Sequence, residues 1–99
     1  MKRTVVRYKT KPEKAEENAR LIEKVFEELR AKSLDGVRYL ALRLDDGTFV
    51  HFSEADGDVS PIPKLDAFQS FRKEIKERCV EPPHESGVTI VGNYRMLDE

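Results

Sequence analysis

The hydrophobic positions of this chain follow a strand period first and a helix period next. β-Branched and aromatic side chains at positions 4–8 predict an opening strand, which Pro12 would bound. Over positions 13–32, apolar residues recur every three or four places, which predicts an amphipathic helix. Its first turns are acidic and its last turn is basic, as the helix dipole favours.

The middle of the chain predicts a β-hairpin. Strands at positions 37–44 and 48–53 flank the turn sequence Asp-Asp-Gly at positions 45–47. A three-residue connection pairs Leu42 with Val50, and this register gives the hairpin two chemically different faces. One face carries the purely apolar residues Leu40, Leu42, Leu44, Val50 and Phe52, and the other carries Tyr39, Ala41, Arg43, Phe49, His51 and Ser53.

The second half of the chain predicts a loop, a helix and a last strand. Positions 54–64 are acidic and contain Gly and Pro, which indicates a loop. The apolar spacing over positions 65–80 predicts a second amphipathic helix, which the two prolines at positions 82–83 are expected to end. Positions 87–97 then predict the final strand, with Gly92 as a bulge or a point of close approach.

The predicted order of elements is strand, helix, strand, strand, helix, strand. This order predicts one domain over residues 1–99, an α+β ferredoxin-like βαββαβ sandwich with an antiparallel sheet in the order 4-1-3-2. Both helices would cover one face of the sheet. We expect the uncovered face to present Tyr39 and Phe49, with Val91 or Tyr94 as further candidates, and such a face usually meets a partner or a ligand.

Composition excludes several classes of protein. The 99 residues include 18 basic and 19 acidic side chains, for a net charge of −1, so no dominant field indicates binding to nucleic acid or anionic lipid. No apolar run is long enough to cross a membrane. A single cysteine, Cys79, excludes an intrachain disulfide, and the N-terminus shows no signal or transit pattern, so we expect a cytoplasmic protein.

The candidate chemistry centres on His51. The chain's two histidines, His51 and His84, lie far apart and without carboxylates at ligand spacing, so no metal site is predicted. The hairpin register places His51 beside Tyr39 and Arg43, where it could act as a base or hydrogen-bond donor, although a lone histidine on a strand is more often structural. Positions 47–52 faintly echo the third strand of an RNA-recognition motif, with Phe49 as the stacking residue, but the first strand lacks the partner motif.

The order of elements, the long first helix and three segments resemble one known group of proteins. The segments are LDAFQSF at positions 65–71, RCVEPP at positions 78–83 and VGNYR at positions 91–95. They are similar to the antibiotic-biosynthesis-monooxygenase-like group of dimeric α+β barrels, which includes cofactor-independent quinone-forming monooxygenases and haem-degrading enzymes. In that group, two sheets pack through their uncovered faces. The monooxygenases and haem degraders rely on a tryptophan with an asparagine, and this chain has no tryptophan, so their catalytic residues do not transfer.

These observations lead to one hypothesis and one alternative. The hypothesis is a homodimer through the uncovered sheet face, with a cavity between sheet and helices that binds a small aromatic or polyketide-like molecule. Tyr39, Arg43, Phe49 and Asn93 are the predicted ligand-binding residues, with Arg43 able to pair an anionic group. If the protein is an enzyme, His51 is the predicted base of an oxygenation or isomerisation that needs no cofactor. The alternative is a non-catalytic ligand-binding or structural homodimer.

Overall fold

A computed structural model describes residues 1–97 of the chain. Its strands are β1 (Lys2–Thr10), β2 (Val37–Arg43), β3 (Thr48–Ala55) and β4 (Cys79–Gly87), and its helices are α1 (Ala15–Lys32), α2 (Asp66–Arg72) and α3 (Ile75–Arg78). The strands form one antiparallel sheet in the order β2-β3-β1-β4. This is the predicted 4-1-3-2 order read from the other edge, so the ferredoxin-like α+β fold is confirmed.

The first helix forms where the apolar spacing places it. A single 3-10 turn at Pro12–Lys14 leads into α1, and the proline suits that position because its missing N–H needs no partner there. The helix ends at Ser33, which adopts the left-handed conformation at φ 47°. Ile22 and Val25 on its apolar stripe are buried against the sheet.

The predicted register of the hairpin is confirmed. Leu42 pairs with Val50, and Leu40 pairs with Phe52. The connecting turn closes with the backbone N–H of Leu44 donating to the carbonyl of Thr48 at 2.8 Å. Gly47 takes a positive φ of 89° in this turn, which a residue without a side chain adopts at little cost.

The prediction of which sheet face is uncovered is wrong. The helices lie on the face that carries Tyr39, Phe49 and His51, and Phe49 is only 2% exposed. Leu40 and Leu42, on the opposite face, are 46% and 48% exposed. Strand alternation separates two faces but does not say which one the helices choose when both are largely apolar. The uncovered face is therefore the one that carries Leu40 and Leu42.

The second predicted helix is broken in two. The apolar spacing predicts one continuous helix over positions 65–80, but α2 ends at Arg72, and the next helical segment, α3, is a single turn. Between them, Glu74 is in the left-handed conformation at φ 61°. The side chain of Arg78 folds back and donates to the carbonyls of Phe71 and Lys73. These bonds satisfy carbonyls at the end of α2 that a continuous helix would have paired internally.

The predicted position of the last strand is also wrong. β4 occupies Cys79–Gly87 and contains Pro82 and Pro83, whereas positions 88–97, with the expected bulge at Gly92, form no helix or strand. Prolines are tolerated because β4 is an edge strand that pairs only with β1. The pairing with β1 shifts register between Arg7 and Lys9, opposite the prolines. A proline pair thus marks a sheet edge here and not an end of regular structure.

The core lies between the covered face of the sheet and the helices. It is built from Tyr8, Ile22, Val25, Phe49, Leu65 and Phe71. The rings of Tyr8 and Phe49 stack with their centroids 5.5 Å apart, which joins β1 to β3. Among the helices of residues 1–97, none is long and apolar enough to cross a membrane.

Candidate functional site

A cleft of about 680 Å³ opens beside the core, between the covered face of the sheet and the α2–α3 region. Tyr39 and His51 line it from the sheet, and Phe68 and Phe71 line it from α2. Its remaining walls include charged residues of both signs: Lys2, Arg72, Glu74, Lys76, Glu77 and Glu85. The cleft therefore combines aromatic walls with a mixed polar rim, which is typical of sites for small organic molecules.

His51 is the buried polar centre of this cleft. It is 5% exposed, and both ring nitrogens are hydrogen-bonded to tyrosines. The hydroxyl of Tyr8 lies 2.8 Å from Nε2, and the hydroxyl of Tyr39 lies 2.5 Å from Nδ1. Burial lowers the pKa of His51 to about 4, because a charged imidazolium would lose its hydration there. The imidazole is therefore neutral at pH 7.

The two tyrosines on either side of His51 are also neutral. Burial raises the pKa of Tyr39 and of Tyr8 above the ordinary value for a phenol, although the hydrogen bond from Asn18 acts on Tyr8 in the opposite direction. The ring of Phe71 packs 5.3 Å from the imidazole. The cleft therefore offers hydrogen-bonding groups without a formal charge, set within an aromatic wall.

The hydrogen bonds continue from Tyr8 into the helices. Asn18 on α1 donates through Nδ2 to the Tyr8 hydroxyl at 2.8 Å, and its Oδ1 accepts from Nε of Arg78 at 3.1 Å. Asn18 is fully buried and Arg78 is 5% exposed. A continuous chain of hydrogen bonds thus runs from Arg78 through Asn18, Tyr8 and His51 to Tyr39. We refer to these five residues as the Arg78–Tyr39 network.

The structure brings together only two of the predicted site residues. Tyr39 and His51 line the cleft, whereas Phe49 lies in the core beneath it, stacked on Tyr8. Because Phe49 is almost fully buried, it is also unavailable for the base stacking that an RNA-recognition motif requires.

Arg43 and Asn93 lie elsewhere. Arg43 is exposed at the end of β2, where its guanidinium pairs with Glu16 at 2.8 Å and lies over the ring of Phe49. Asn93 is in the C-terminal segment, which is not a strand, whereas the sequence predicts it on the last strand. Its Oδ1 accepts from the backbone N–H of Met96 and of Leu97, so the side chain holds a local turn.

Three members of the network were missed from the sequence: Tyr8, Asn18 and Arg78. A signal for Asn18 was present, because it falls at helical spacing between the buried residues Ala15 and Ile22, where a polar side chain needs a partner. The sequence predicts Tyr8 on the first strand but does not indicate which face of the sheet it occupies. Arg78 carried no signal, since its charge is typical of a solvent-exposed helix end.

Nothing in residues 1–97 groups three or more His, Cys, Asp or Glu side chains as a metal site would require. His51, Tyr8 and Tyr39 offer the cleft hydrogen bonding and proton exchange through a neutral imidazole and two phenols.

Comparison with known proteins identifies the fold. No family model and no curated protein matches the chain. Solved structures do match, among them the Rv0793 protein of Mycobacterium tuberculosis, with a TM-score of 0.74 and 17% identity over 92% of this chain and 95% of that one. A protein of Nitrosomonas europaea matches with a TM-score of 0.74 and 16% identity, covering 90% of this chain and 88% of its own.

A third match, from Caulobacter crescentus, has a TM-score of 0.72 and 18% identity, covering 91% of this chain and 89% of its own. The Nitrosomonas and Caulobacter proteins are both described, provisionally, as antibiotic biosynthesis monooxygenases. At these identities the likeness shows a shared fold, and the roles of individual residues have to be argued from this chain.

Proposed function

We propose that this chain, which has the fold of the antibiotic-biosynthesis-monooxygenase-like proteins, binds a small aromatic molecule in the cleft between sheet and helices. The observation that carries this proposal is the single buried polar centre, Tyr39 with His51, set in an aromatic wall. Small-molecule sites are mostly apolar concave surfaces with a few polar groups that fix orientation. The volume of about 680 Å³ suits a ligand of two or three fused rings.

The walls of the cleft favour a flat, oxygen-bearing ring system. Phe68 and Phe71, with ring centroids 5.7 Å apart, offer faces and edges for aromatic packing. Tyr39 is neutral at pH 7, so its hydroxyl would hydrogen-bond a ligand oxygen without forming an ion pair. The rim carries both signs of charge, so it does not select strongly for an anion or a cation.

The catalytic form of the proposal is an isomerisation or a cofactor-independent monooxygenation in which His51 exchanges a proton with the ligand through the Tyr39 hydroxyl. Isomerisation moves one proton between two ligand atoms and needs no other reactant. In the monooxygenation, molecular oxygen converts an activated ring CH₂ to a carbonyl, and its second oxygen atom leaves as water with the two hydrogens. Support for this role comes from the neutral imidazole, whose Nδ1 lies 2.5 Å from the hydroxyl of Tyr39, a residue that lines the cleft.

A thermal-shift screen with naphthoquinones, anthrones and hydroxylated aromatic acids tests the binding proposal. We expect at least one class to stabilise the protein, and Tyr39→Phe to weaken that effect. Tyr94→Phe is the matched control, since Tyr94 is 78% exposed and does not line the cleft. If no class stabilises the protein, or if both variants respond equally, the proposal fails.

Any turnover found with these compounds then tests the role of His51. We expect the pH–rate profile to change when His51 is replaced by Ala, because the replacement removes the exchanging nitrogen. A profile that is unaffected by His51→Ala would remove the catalytic role and leave a binding protein.

We also propose that the uncovered face of the sheet is a homodimer interface. Leu40 and Leu42 are nearly half exposed there, and Val5, Val50 and Phe52 share the same face. These residues lie beside the ion-paired Arg3, Arg38 and Glu54, and an exposed apolar patch of this kind usually meets a partner. A mass of twice 11.4 kDa in light scattering is expected, and a monomer at every concentration would contradict it.

A further inference from the structure

We infer that Arg78 and Asn18 set every proton position along the Arg78–Tyr39 network, so that Tyr39 donates its hydroxyl hydrogen into the cleft. The cleft would then select ligands whose oxygen accepts a hydrogen bond, such as a ketone, a quinone carbonyl or a phenolate. The ligand preference rests on the proposed function. The proton positions rest on the geometry of the network alone.

The orientation of Asn18 is fixed by Arg78. A guanidinium can only donate hydrogen bonds, so the Asn18 atom that lies 3.1 Å from Nε of Arg78 has to be the oxygen. Asn18 is fully buried, and no bulk water competes for its amide. Its NH₂ group therefore faces the other way, toward Tyr8.

The orientation of Asn18 determines the role of Tyr8. The Tyr8 oxygen accepts from Nδ2 of Asn18 at 2.8 Å, so its own hydrogen has to go elsewhere. The remaining neighbour is Nε2 of His51, also at 2.8 Å. Tyr8 therefore donates to Nε2, which has to be unprotonated. A neutral imidazole carries one proton, and here that proton is on Nδ1.

The last step reaches the cleft. The protonated Nδ1 of His51 donates to the oxygen of Tyr39, which lies 2.5 Å away. The hydroxyl hydrogen of Tyr39 cannot point back at that nitrogen, so it is left to point toward the cleft that Tyr39 lines. A bound carbonyl or phenolate oxygen could accept it directly, whereas a phenolic hydroxyl could accept it only with its own hydrogen turned toward another acceptor.

The opposite arrangement of protons conflicts with the core. If Nε2 of His51 carried the proton, the Tyr8 oxygen would receive two donors, one from His51 and one from Asn18. The Tyr8 hydrogen would then have no acceptor among the hydrogen bonds of residues 1–97. Tyr8 is 1% exposed, and buried polar groups are nearly always paired.

One change of chemistry at Asn18 should reverse the whole network. In Asn18→Asp, one carboxylate oxygen still accepts from Arg78, and the other now accepts from Tyr8. Tyr8 then accepts from Nε2–H of His51, and Nδ1 accepts from Tyr39. The new carboxylate would also pair with the Arg78 guanidinium, which has no carboxylate partner within residues 1–97.

Long-range ¹H–¹⁵N NMR of the histidine rings, recorded on the ligand-free protein at pH 7, measures these positions directly. We expect the Nδ1–H tautomer of His51 in the wild type and the Nε2–H tautomer in Asn18→Asp. Gln69→Glu makes the same change of charge on the exposed side of α2 and should keep the wild-type tautomer. A wild-type Nε2–H tautomer, or a folded Asn18→Asp variant that keeps Nδ1–H, would overturn the inference.

A second variant keeps the test decisive if Asn18→Asp does not fold. Tyr8→Phe removes the donor to Nε2, so we expect both tautomers of His51 to be populated. A single Nδ1–H tautomer in folded Tyr8→Phe would show that Tyr8 does not determine the proton position.

Affinity for a matched pair of probes, 1,4-naphthoquinone and 1-naphthol, tests the ligand preference. We expect Asn18→Asp to lose about tenfold in affinity for the quinone, the worth of one hydrogen bond, because Tyr39 would no longer donate. Its affinity for the naphthol should change less, because a hydroxyl can either accept or donate. Binding in which Asn18→Asp affects both probes equally would overturn the ligand preference and leave the proposed function standing. Failure of both probes and of the wider screen to bind would overturn the proposed function, while the tautomer result would still decide the proton positions.

Discussion

The two faces of the sheet differ in a way that runs against simple hydrophobic sorting. The face that carries a histidine and two tyrosines is buried under the helices. The face left open carries exposed leucines beside the ion-paired Arg3, Arg38 and Glu54. The polar atoms of the covered face satisfy one another, so burying them carries little penalty. The lesson is that helices can cover a face with a histidine and two tyrosines when those groups form a closed network.

The two faces of the sheet are also suited to different kinds of binding. On the covered face, the imidazole and the phenols are held in fixed positions next to a cleft, as a ligand site requires. On the open face, Leu40 and Leu42 have no neighbour within the chain to remove them from water. We therefore expect changes to the covered face to alter stability and ligand binding, and changes to the open face to alter association between copies.

Truncation of one side chain on each face should give the largest difference between the faces, measured as the loss in free energy of unfolding. Phe49→Ala leaves a cavity in the core and should lower the free energy of unfolding by about 3–5 kcal/mol. Leu42→Ala removes a half-exposed side chain and should cost less than about 1 kcal/mol at concentrations where copies stay apart. Urea unfolding measures both, and equal costs would contradict the assignment of the two faces.

Acid should destabilise the covered face through His51. Its pKa is about 4 in the folded protein against an ordinary value of 6.5, so the unfolded chain binds more protons between these values. Stability should therefore fall as the pH drops from about 6.5 to 4 and level off below, a loss of roughly 3 kcal/mol. The difference between wild type and His51→Gln isolates this effect, since the carboxylates titrate in both. A difference that does not change with pH would contradict the burial of a neutral imidazole.

A charge on the open face should disrupt the proposed dimer. Leu42→Arg would place a cation among the exposed leucines of the open face and should weaken association at least about tenfold, as measured by sedimentation. Val59→Arg is the matched control, because Val59 is 75% exposed and lies outside the sheet. If both variants associate as the wild type does, the open face is not the interface.

A smaller effect is expected from removal of one phenol from the cleft. Tyr39→Phe leaves His51 with one hydrogen-bond partner and takes one donor from the ligand. We expect about a tenfold loss of affinity for a quinone, measured by calorimetry, with little change in the fold. An unchanged affinity would mean that the ligand does not contact Tyr39.

The sequence was sufficient where a pattern depends on local spacing. The apolar stripe of α1 and the hairpin register, with Leu42 opposite Val50, both follow from periodicity and turn length. The topology of the sheet follows from the order of these elements. The apolar spacing also predicts a helix where α2 lies. It does not predict the break at Glu74, because no glycine or proline marks that position.

The rest depends on tertiary contacts that spacing does not reveal. The choice of the covered face is decided by how Tyr8, Asn18 and His51 pair across β1, α1 and β3. The burial of Arg78 depends on helix carbonyls that become available only when α2 ends early. The proline pair in β4 is acceptable only because that strand lies at the sheet edge. The first and the last of these outcomes involve residues distant in the chain, and the second depends on where α2 ends.

The most direct test of the division between the two faces is an NMR titration of the ¹³C,¹⁵N-labelled protein with 1,4-naphthoquinone. We expect side-chain signals of Tyr39, His51 and Phe71 to shift with a common affinity, while those of Leu42 and Val50 stay unchanged. Shifts confined to Leu42 and Val50 would place the ligand on the open face and contradict the account.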